Sequence, residues 1–523
     1  MGTSKGSAAK KKLIIIGAGL SGLTAGVYAQ KAGYDTVIYE KNKIPGGECI
    51  GWDRKGYHID GCIHWLTGTS PKDPLNKVWR DVGALSDNVK IYEPESFAVL
   101  ETPERSLHLY KDMNRLKAHL AEAAPEDREA LEDLYAAIEL CFSAVIPMMP
   151  VEMMNPIEII KLIASIGKQQ KAMNKIKMPL GQYLERFKNK DLRSLLQSVL
   201  PPEQCANILP YTLATVMSGD GGRPEGGSRA MSLRMADTFT YLGGKLITGI
   251  SIDEIVIESG RATCVRLSDT DGRKGKAPES AGTFAAADHV LSATDVHVTL
   301  KKLLRGKYPQ EAFDMRDADP KTYPAMTGCQ AAFGIDMDIS DMEPDILISV
   351  EPFRFEDHEE NRLSFKHYCY EPSFAPEGHS VISIFFVGNY DWWKALAADE
   401  VSSPDSDHIM SEKYQAEKER VLLDIMKSLQ KKYPHWEGHL IPLDFVTPIT
   451  YERYCGAYRG RWMSYGNTEN SKSLMHDGRI KGLTNFSMCG QWLMPPGGTP
   501  VAAITGRWAI QRLCKKDKLH WRF

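Results

Sequence analysis

Leu13, Ile14, Ile15 and Ile16 form a short apolar run that stops at Gly17, and helical spacing then takes over across residues 20–32 until Gly33 ends it. Thr36, Val37, Ile38 and Tyr39 return to a strand pattern, so the opening segment predicts a strand, a helix and a strand in succession. A third extended piece is expected at residues 57–60, after the loop Pro45-Gly46-Gly47. Residues 116–200 are mostly helical in pattern, with polar faces and interruptions at Pro147, Pro150, Pro156 and Pro179, as in an inserted helical region. Alternation returns at Ile250, Ile252, Ile255 and Ile257, followed by a turn at Ser259-Gly260 and a strand through Val265 and Leu267. Residues 269–281 form a polar loop, 287–293 one more strand, and 326–387 several further strands. An acidic, serine-rich loop at 399–407 precedes a helix over 411–432. No internal repeat interrupts this order.

At 523 residues the chain exceeds what one core usually organises, which predicts two domains, here interleaved. Hydrophobic residues at 43% and charged residues at 25% are ordinary globular usage. The net charge of -3 gives no basis for phosphate-backbone attraction, so nucleic acid is set aside as a partner. The ten cysteines include no C-x-x-C pair, and no histidine cluster has zinc spacing, which reads as a reduced, cytoplasmic chain without a metal site. No stretch is apolar enough to span a bilayer, and residues 1–12 read as a polar, basic lead-in.

Chemistry concentrates where the first strand meets the first helix. Gly17-Ala18-Gly19-Leu20-Ser21-Gly22 fits the dinucleotide fingerprint G-x-G-x-x-G and stands between a strand and a helix, as the mechanism requires. Gly17 permits the tight turn, Gly19 lets a pyrophosphate approach the backbone, and Gly22 allows helix and strand to pack closely. The helix N-terminus favours the phosphate charge. Glu40, followed by Lys41, ends the second strand, where its carboxylate can accept hydrogen bonds from a ribose diol. A second glycine pair, Gly46-Gly47, comes directly after this acid and favours FAD over a nicotinamide nucleotide. No second G-x-G-x-x-G is found, so electrons enter or leave by a route other than a second nucleotide domain, and the residues do not name the electron partner.

With these motifs in view, the chain resembles the phytoene desaturase and carotenoid isomerase family, which includes retinol saturases and is related to flavin amine oxidases. The resemblance rests also on Ile59-Asp60-Gly61-Cys62-Ile63-His64-Trp65, Pro224-Glu225-Gly226-Gly227, Ala287-Asp288-His289-Val290, Ser292-Ala293-Thr294-Asp295, and Cys489-Gly490-Gln491-Trp492 through Pro496-Gly497-Gly498-Thr499-Pro500. It implies an α/β fold in which a discontinuous Rossmann-type FAD-binding domain (residues 1–100, 215–300 and 440–523) carries an inserted α+β substrate domain (101–214 and 301–439). It further implies that Ile252 offers backbone to the adenine, that Ile63 and His64 lie beside the flavin, and that Gly490, Gly497, Gly498, Thr499 and Pro500 line its ribityl chain and ring. The expected activity is desaturation, saturation or isomerisation of an apolar polyene or isoprenoid-like small molecule. The glycine loop has no cysteine, so the FAD is expected to be non-covalent.

Three positions depart from the family's pattern: Glu48 stands where many members carry Arg or Lys, the glycine after Asp60 is shifted by one, and His64-Trp65 is closer to the matching segment of retinol saturases than to that of bacterial desaturases. Two other classes share the fold, an amine oxidase acting on C–N bonds and a non-enzymatic prenyl-protein escort. Intact Gly17, Gly19, Gly22 and Glu40 weigh against the escort.

His64 is the candidate catalytic residue, because an imidazole ordinarily exchanges protons near pH 7; a packing histidine is the alternative, and His58 is read as structural. Met148, Met149, Met153, Met154, Met173 and Met178 cluster with Lys161, Lys168, Lys171, Lys175 and Lys177, and Ile159, Leu162, Ile163 and Ile166 fall at helical spacing. Such a segment suits peripheral contact with a membrane or equally a helix covering the core. Tyr390, Trp392 and Trp393 suit either a lipid pocket or a core cluster.

Overall fold

The computed structural model describes residues 10–142, 146–269, 283–397, 411–472 and 475–523. Nearly all of the expected lead-in, the polar loop after Asp269 and the acidic loop at 399–407 lie outside the described residues, as does the side chain of Lys168. Strand β1 (Lys12–Ile16) is the centre of a five-stranded parallel sheet. On one side it pairs with β2 (Asp35–Glu40), which pairs with Lys245–Thr248; on the other it pairs with His289–Ser292, which pairs with Phe486–Met488. Ile14 and Ile15 are fully buried, as expected of a central parallel strand covered on both faces.

Helix α1 (Leu20–Lys31) runs back over this sheet and packs against the helices Gly227–Tyr241 and Thr499–Asp517. Its closeness depends on missing side chains. A Cβ at Gly22 would lie 2.0 Å from the Gly17 carbonyl oxygen, and one at Gly26 would lie 2.7 Å from Ile38. A Cβ at Gly506, on the C-terminal helix, would lie 2.4 Å from the Ser21 carbonyl oxygen.

Ile250–Glu258 and Arg261–Asp269 form a hairpin, extended by Phe284–Ala286. Its two-residue turn has positive φ at both Ser259 (48°) and Gly260 (75°), the backbone twist that suits right-twisted antiparallel strands. A larger mixed sheet runs in the order Leu440–Val446, Ala325–Ile335, Ser380–Val387, His358–His367, Asp345–Phe355, Ser96–Glu101, Ser106–Tyr110, with Arg461–Tyr465 also pairing with Ala325–Ile335. The helix Glu412–Lys432 covers it through Val421, Ile425 and Leu429. The Ser411 hydroxyl caps that helix by accepting from the Tyr414 N–H at 3.1 Å. Short helices between Met113 and Met217 bury Leu120, Leu134, Ile138, Leu195, Leu209 and Leu213 in a separate core.

Two expected domain limits fall on strands of the large mixed sheet. Residue 100 falls inside the strand Ser96–Glu101, and residue 440 opens the strand Leu440–Val446, yet both strands belong to the large mixed sheet. Strand pattern cannot reveal which sheet a strand joins, because pairing is decided between distant segments. Trp393 resolves the other ambiguity: it is fully buried and donates from Nε1 to Glu356 at 2.7 Å, as part of the core under the large sheet. No helix among the described residues is long and apolar enough to cross a membrane.

Replacing Gly506 with Ala should force α1 and the C-terminal helix apart and lower stability by about 1 to 3 kcal/mol, the usual cost of overpacking. Urea unfolding with an unchanged m-value checks this, and an unaltered midpoint would show that the contact tolerates a methyl group.

Candidate functional site

Beyond the carboxyl ends of β1, β2 and His289–Ser292 opens a cavity of about 680 Å³, within the size range of cofactor and ligand sites. Gly17 (φ 98°) turns the chain out of β1, its N–H donating to the Tyr39 carbonyl at 2.8 Å. Gly19 is the N-cap of α1 with no side-chain cap, so the helix's first amides are left for a ligand. Gly19 itself has an ordinary φ of -72°, and a Cβ there would come no closer than 3.9 Å to protein. Neither conformation nor packing therefore requires glycine at this position. A ligand lying against the backbone would.

Glu40 lines the cavity, and its carboxylate accepts the Ala18 N–H and the Asn42 N–H, each at 2.8 Å. It thus braces the loop that it adjoins as well as facing outward. Lys41 also lines the cavity, and its Nζ donates to the Arg453 carbonyl at 3.2 Å; burial lowers its pKa. The second glycine pair closes onto the first: the Gly46 N–H donates to the Ala18 carbonyl at 2.8 Å, and a Cβ at Gly47 would lie 3.2 Å from Gly19.

A second wall comes from the other end of the chain. Gly490, Gln491, Gly497, Gly498, Thr499 and Pro500 line the same cavity, and Gly498 is the N-cap of Thr499–Asp517, again without a side-chain cap. Two open helix N-termini therefore face one space. Ile250, Ser251 and Ile252 supply a third edge.

Of the residues expected at the site, Gly17, Gly19, Ser21, Glu40, Lys41, Gly46, Gly47, His64, Ile252, Gly490, Gly497, Gly498, Thr499 and Pro500 line this cavity. Ala18, Gly22 and Ile63 do not. Ala18 lies beneath the loop with its N–H on Glu40, and Gly22 is a packing residue of α1. Ile63 is buried behind the wall, its N–H donating to the Ser228 hydroxyl at 2.8 Å.

His64 needs a correction of its chemistry. It lines the cavity beside Trp65, with its ring edge-on to Phe385 at 4.2 Å. Burial, together with the charges of Lys366 and Arg223, pushes its pKa down to about 3 against the opposing pull of Asp345, so the ring is neutral at pH 7. The expectation of a group titrating near neutrality does not hold, because burial and a basic neighbourhood that only folding assembles disfavour the charged ring. Arg223 and Lys366 both donate to the buried Asp345, which they pull down to about 2 against the upward push of burial. Arg223 also donates from Nε to the His64 carbonyl at 2.9 Å, which pins the backbone of this segment.

Several lining residues were not singled out as site residues from the sequence: Glu48, Asp295, Gln491, Tyr211, Trp462 and Met463. Asp295 and Gln491 lie inside quoted motifs and were within reach of that signal. Tyr211 and Trp462 carry no local mark, since only tertiary folding brings their segments to the cavity.

Residues 15–82 match the NAD(P)-binding Rossmann-like domain. Over 86% of its length the chain is 21% identical to the all-trans-retinol 13,14-reductase of Danio rerio, covering 76% of that protein. It is 22% identical to the chloroplastic prolycopene isomerase of Daucus carota, over 86% of this chain and 71% of that one. Among solved structures, an oxidoreductase from Methanosarcina mazei has a TM-score of 0.58 at 15% identity, with coverage of 96% of this chain and 100% of that one. The chain is an oxidoreductase similar to members of the phytoene desaturase and carotenoid isomerase family.

In this oxidoreductase the glycines of the fingerprint are expected to fail differently. Gly19→Val should leave the thermal midpoint of the cofactor-free protein nearly unchanged and abolish dinucleotide binding, whereas Gly22→Ala should destabilise the fold, given the 2.0 Å approach. Thermal melts and cofactor titration of both variants check this, and a strongly destabilised Gly19→Val would mean that packing selects that glycine.

Proposed function

We propose that this oxidoreductase binds FAD non-covalently and acts on carbon–carbon bonds of an apolar, polyene or isoprenoid-like substrate. The observation that carries the reading is one continuous cavity in which the dinucleotide cradle at Gly19 and Gly47 leads to a wall of His64, Trp65, Tyr211, Trp462 and Met463. Bound FAD would supply hydride exchange at N5 with the substrate carbon. The chain's own residues would hold the ribose at Glu40, the diphosphate at the α1 N-terminus and the ring near Gly497–Pro500. Cys62 and Cys455 line the cavity, but a hydrogen bond with Cys49 and burial hold Cys62 protonated, and burial does so for Cys455. These two thiols are not prepared for attack, which favours a dissociable cofactor. His64 would contact the substrate or ring as a neutral imidazole, able to donate or accept a hydrogen bond without carrying charge.

An apolar substrate needs a route in, and the helix Pro156–Met173 offers one. It turns Gln169 and Met173 inward, and Gln169 accepts from the Tyr211 hydroxyl at 3.4 Å, on a helix that lines the cavity. Its outward side is also apolar: Ile157, Ile160 and Ile163 are 66%, 67% and 64% exposed. Lys161, Lys171, Lys175 and Lys177 are exposed around them. Isoleucines bordered by lysines match an anionic lipid surface in both apolarity and charge. Of the four residues expected on one face, Ile163 and Ile166 are exposed, whereas Ile159 and Leu162 are half-buried.

The purified protein should be yellow and release unmodified FAD on denaturation. Its flavin should exchange electrons in a single turnover with all-trans-retinol or a poly-cis carotene, and His64→Ala should retain FAD yet slow that turnover at least about tenfold. The rate should show no step near pH 6.5, because the His64 pKa lies far below it. Failure to reconstitute with FAD, or bleaching of the flavin by amines alone, would overturn the proposal.

Vesicles containing anionic lipid should sediment the protein, neutral vesicles less so, and salt should weaken the association. Serine at 157, 160 and 163 together should reduce it at least about tenfold. Unchanged sedimentation would remove the helix as the contact, and a shift from dimer to monomer would assign the face to a second copy of the chain.

A further inference from the structure

Glu48 stands on the cavity wall immediately after Gly46-Gly47, and no cation pairs with it among the described residues. Its Oε2 accepts from Gln491 Nε2 at 2.9 Å. The orientation of that amide is set, because Gln491 Oε1 accepts the Gly498 N–H at 3.0 Å and so leaves Nε2 as the donor. The groups facing Glu48 from neighbouring elements are Asp295, Cys49, Cys62, Tyr451 and Cys455. None is basic.

Asp295 has its oxygens engaged elsewhere: Oδ1 accepts from the His297 N–H at 2.7 Å and from its Nδ1 at 2.8 Å, and Oδ2 accepts the Tyr458 N–H at 2.8 Å. Burial opposes charge on His297, but its hydrogen bonds to Asp295 and Asp317 outweigh that and raise its pKa. The Asp295–His297–Asp317 network therefore satisfies itself and gives Glu48 no counter-charge. A second carboxylate beside Asp295, in a cavity built for an anionic dinucleotide, would repel both.

We propose that Glu48 meets the cofactor as a neutral carboxylic acid, its proton serving as a hydrogen-bond donor toward the cofactor's phosphate or ribityl oxygens. This rests on the FAD reading above. Burial and the repulsion of Asp295 agree with it, carrying the Glu48 pKa up to about 8 against the hydrogen bond from Gln491. A carboxyl group kept neutral by an apolar or like-charged setting can donate where a carboxylate could only accept. Tyr451, Cys62 and Cys455 are all held protonated by burial and their neighbours, so they do not compete as titrating groups near pH 8.

The linkage has a definite sign. A carboxyl group whose folded pKa is raised binds its proton more tightly in the native protein, so cofactor-free stability contributed by that proton is present at low pH and is lost as pH rises through about 8. If the cofactor requires the same proton, its affinity falls over the same direction of pH, by at most about tenfold per unit above the pKa.

The test is FAD affinity of the cofactor-free protein from pH 6 to 9.5, followed by flavin fluorescence, for the wild type, Glu48→Gln and Cys49→Ala. The expected result is a wild-type dissociation constant that rises about tenfold between pH 8.5 and 9.5. Glu48→Gln should bind near the wild-type low-pH value throughout, and Cys49→Ala should retain the wild-type dependence. Infrared spectra of the cofactor-free protein at pH 7 should show a protonated carboxyl band that Glu48→Gln lacks. A wild-type affinity that is flat or rises with pH, or an infrared band unchanged in Glu48→Gln, overturns the Glu48 proposal alone. Absence of FAD binding at every pH, with the infrared band present, defeats the FAD reading instead.

Discussion

The structure depends on how closely α1 can lie against its neighbours. Gly22 brings it onto the Gly17 carbonyl, and Gly506 brings the C-terminal helix onto Ser21, at separations that no Cβ would allow. Two helices drawn together at these points turn their N-termini toward one cavity. Neither terminus is capped by a side chain, so amides that a capping side chain satisfies in other helices are left for an outside acceptor. The cofactor cradle follows from helix packing more than from any charged side chain placed in it.

A second cluster of charge lies behind His64, off the cavity wall. Asp345 and Lys366 face each other across adjacent strands of the large sheet, and Arg223 reaches the same carboxylate from a small separate sheet. The buried ion cluster ties the strand Gly221–Pro224 to the large sheet. Its cost in desolvation is offset by three partners sharing one site. A consequence is felt at His64, whose ring is surrounded by positive charge and apolar surface and therefore stays neutral. The same logic with the opposite sign acts at Glu48, which has the Asp295 carboxylate and the Gln491 amide beside it and no paired cation among the described residues.

Much of the fold was legible along the chain. β1, α1, β2 and Glu40 stand where periodicity and glycine placed them, because a parallel strand buried on both faces must be apolar throughout and a tight turn into a helix needs glycine at Gly17. The hairpin turn at Ser259-Gly260 and the N-cap at Ser411 are equally local. The fold class and the glycine cradle were thus determined by the sequence itself, through interactions within a few residues.

What only tertiary structure decided is everything that needs two distant segments. The membership of Ser96–Glu101 and Leu440–Val446 in the large sheet depends on strand pairing far along the chain. The role of Gly506 appears only once the C-terminal helix lies on α1. The outward face of Pro156–Met173 could not be chosen from spacing alone, because a helix apolar on both sides gives no sign of which side the core will take. His64 shows the limit most clearly: its identity and nearness to the cavity could be read from the motif around it, but its protonation is set by Arg223 and Lys366, which the chain brings beside it only by folding. Residue type and spacing are local properties, whereas burial and electrostatic potential belong to the assembled structure.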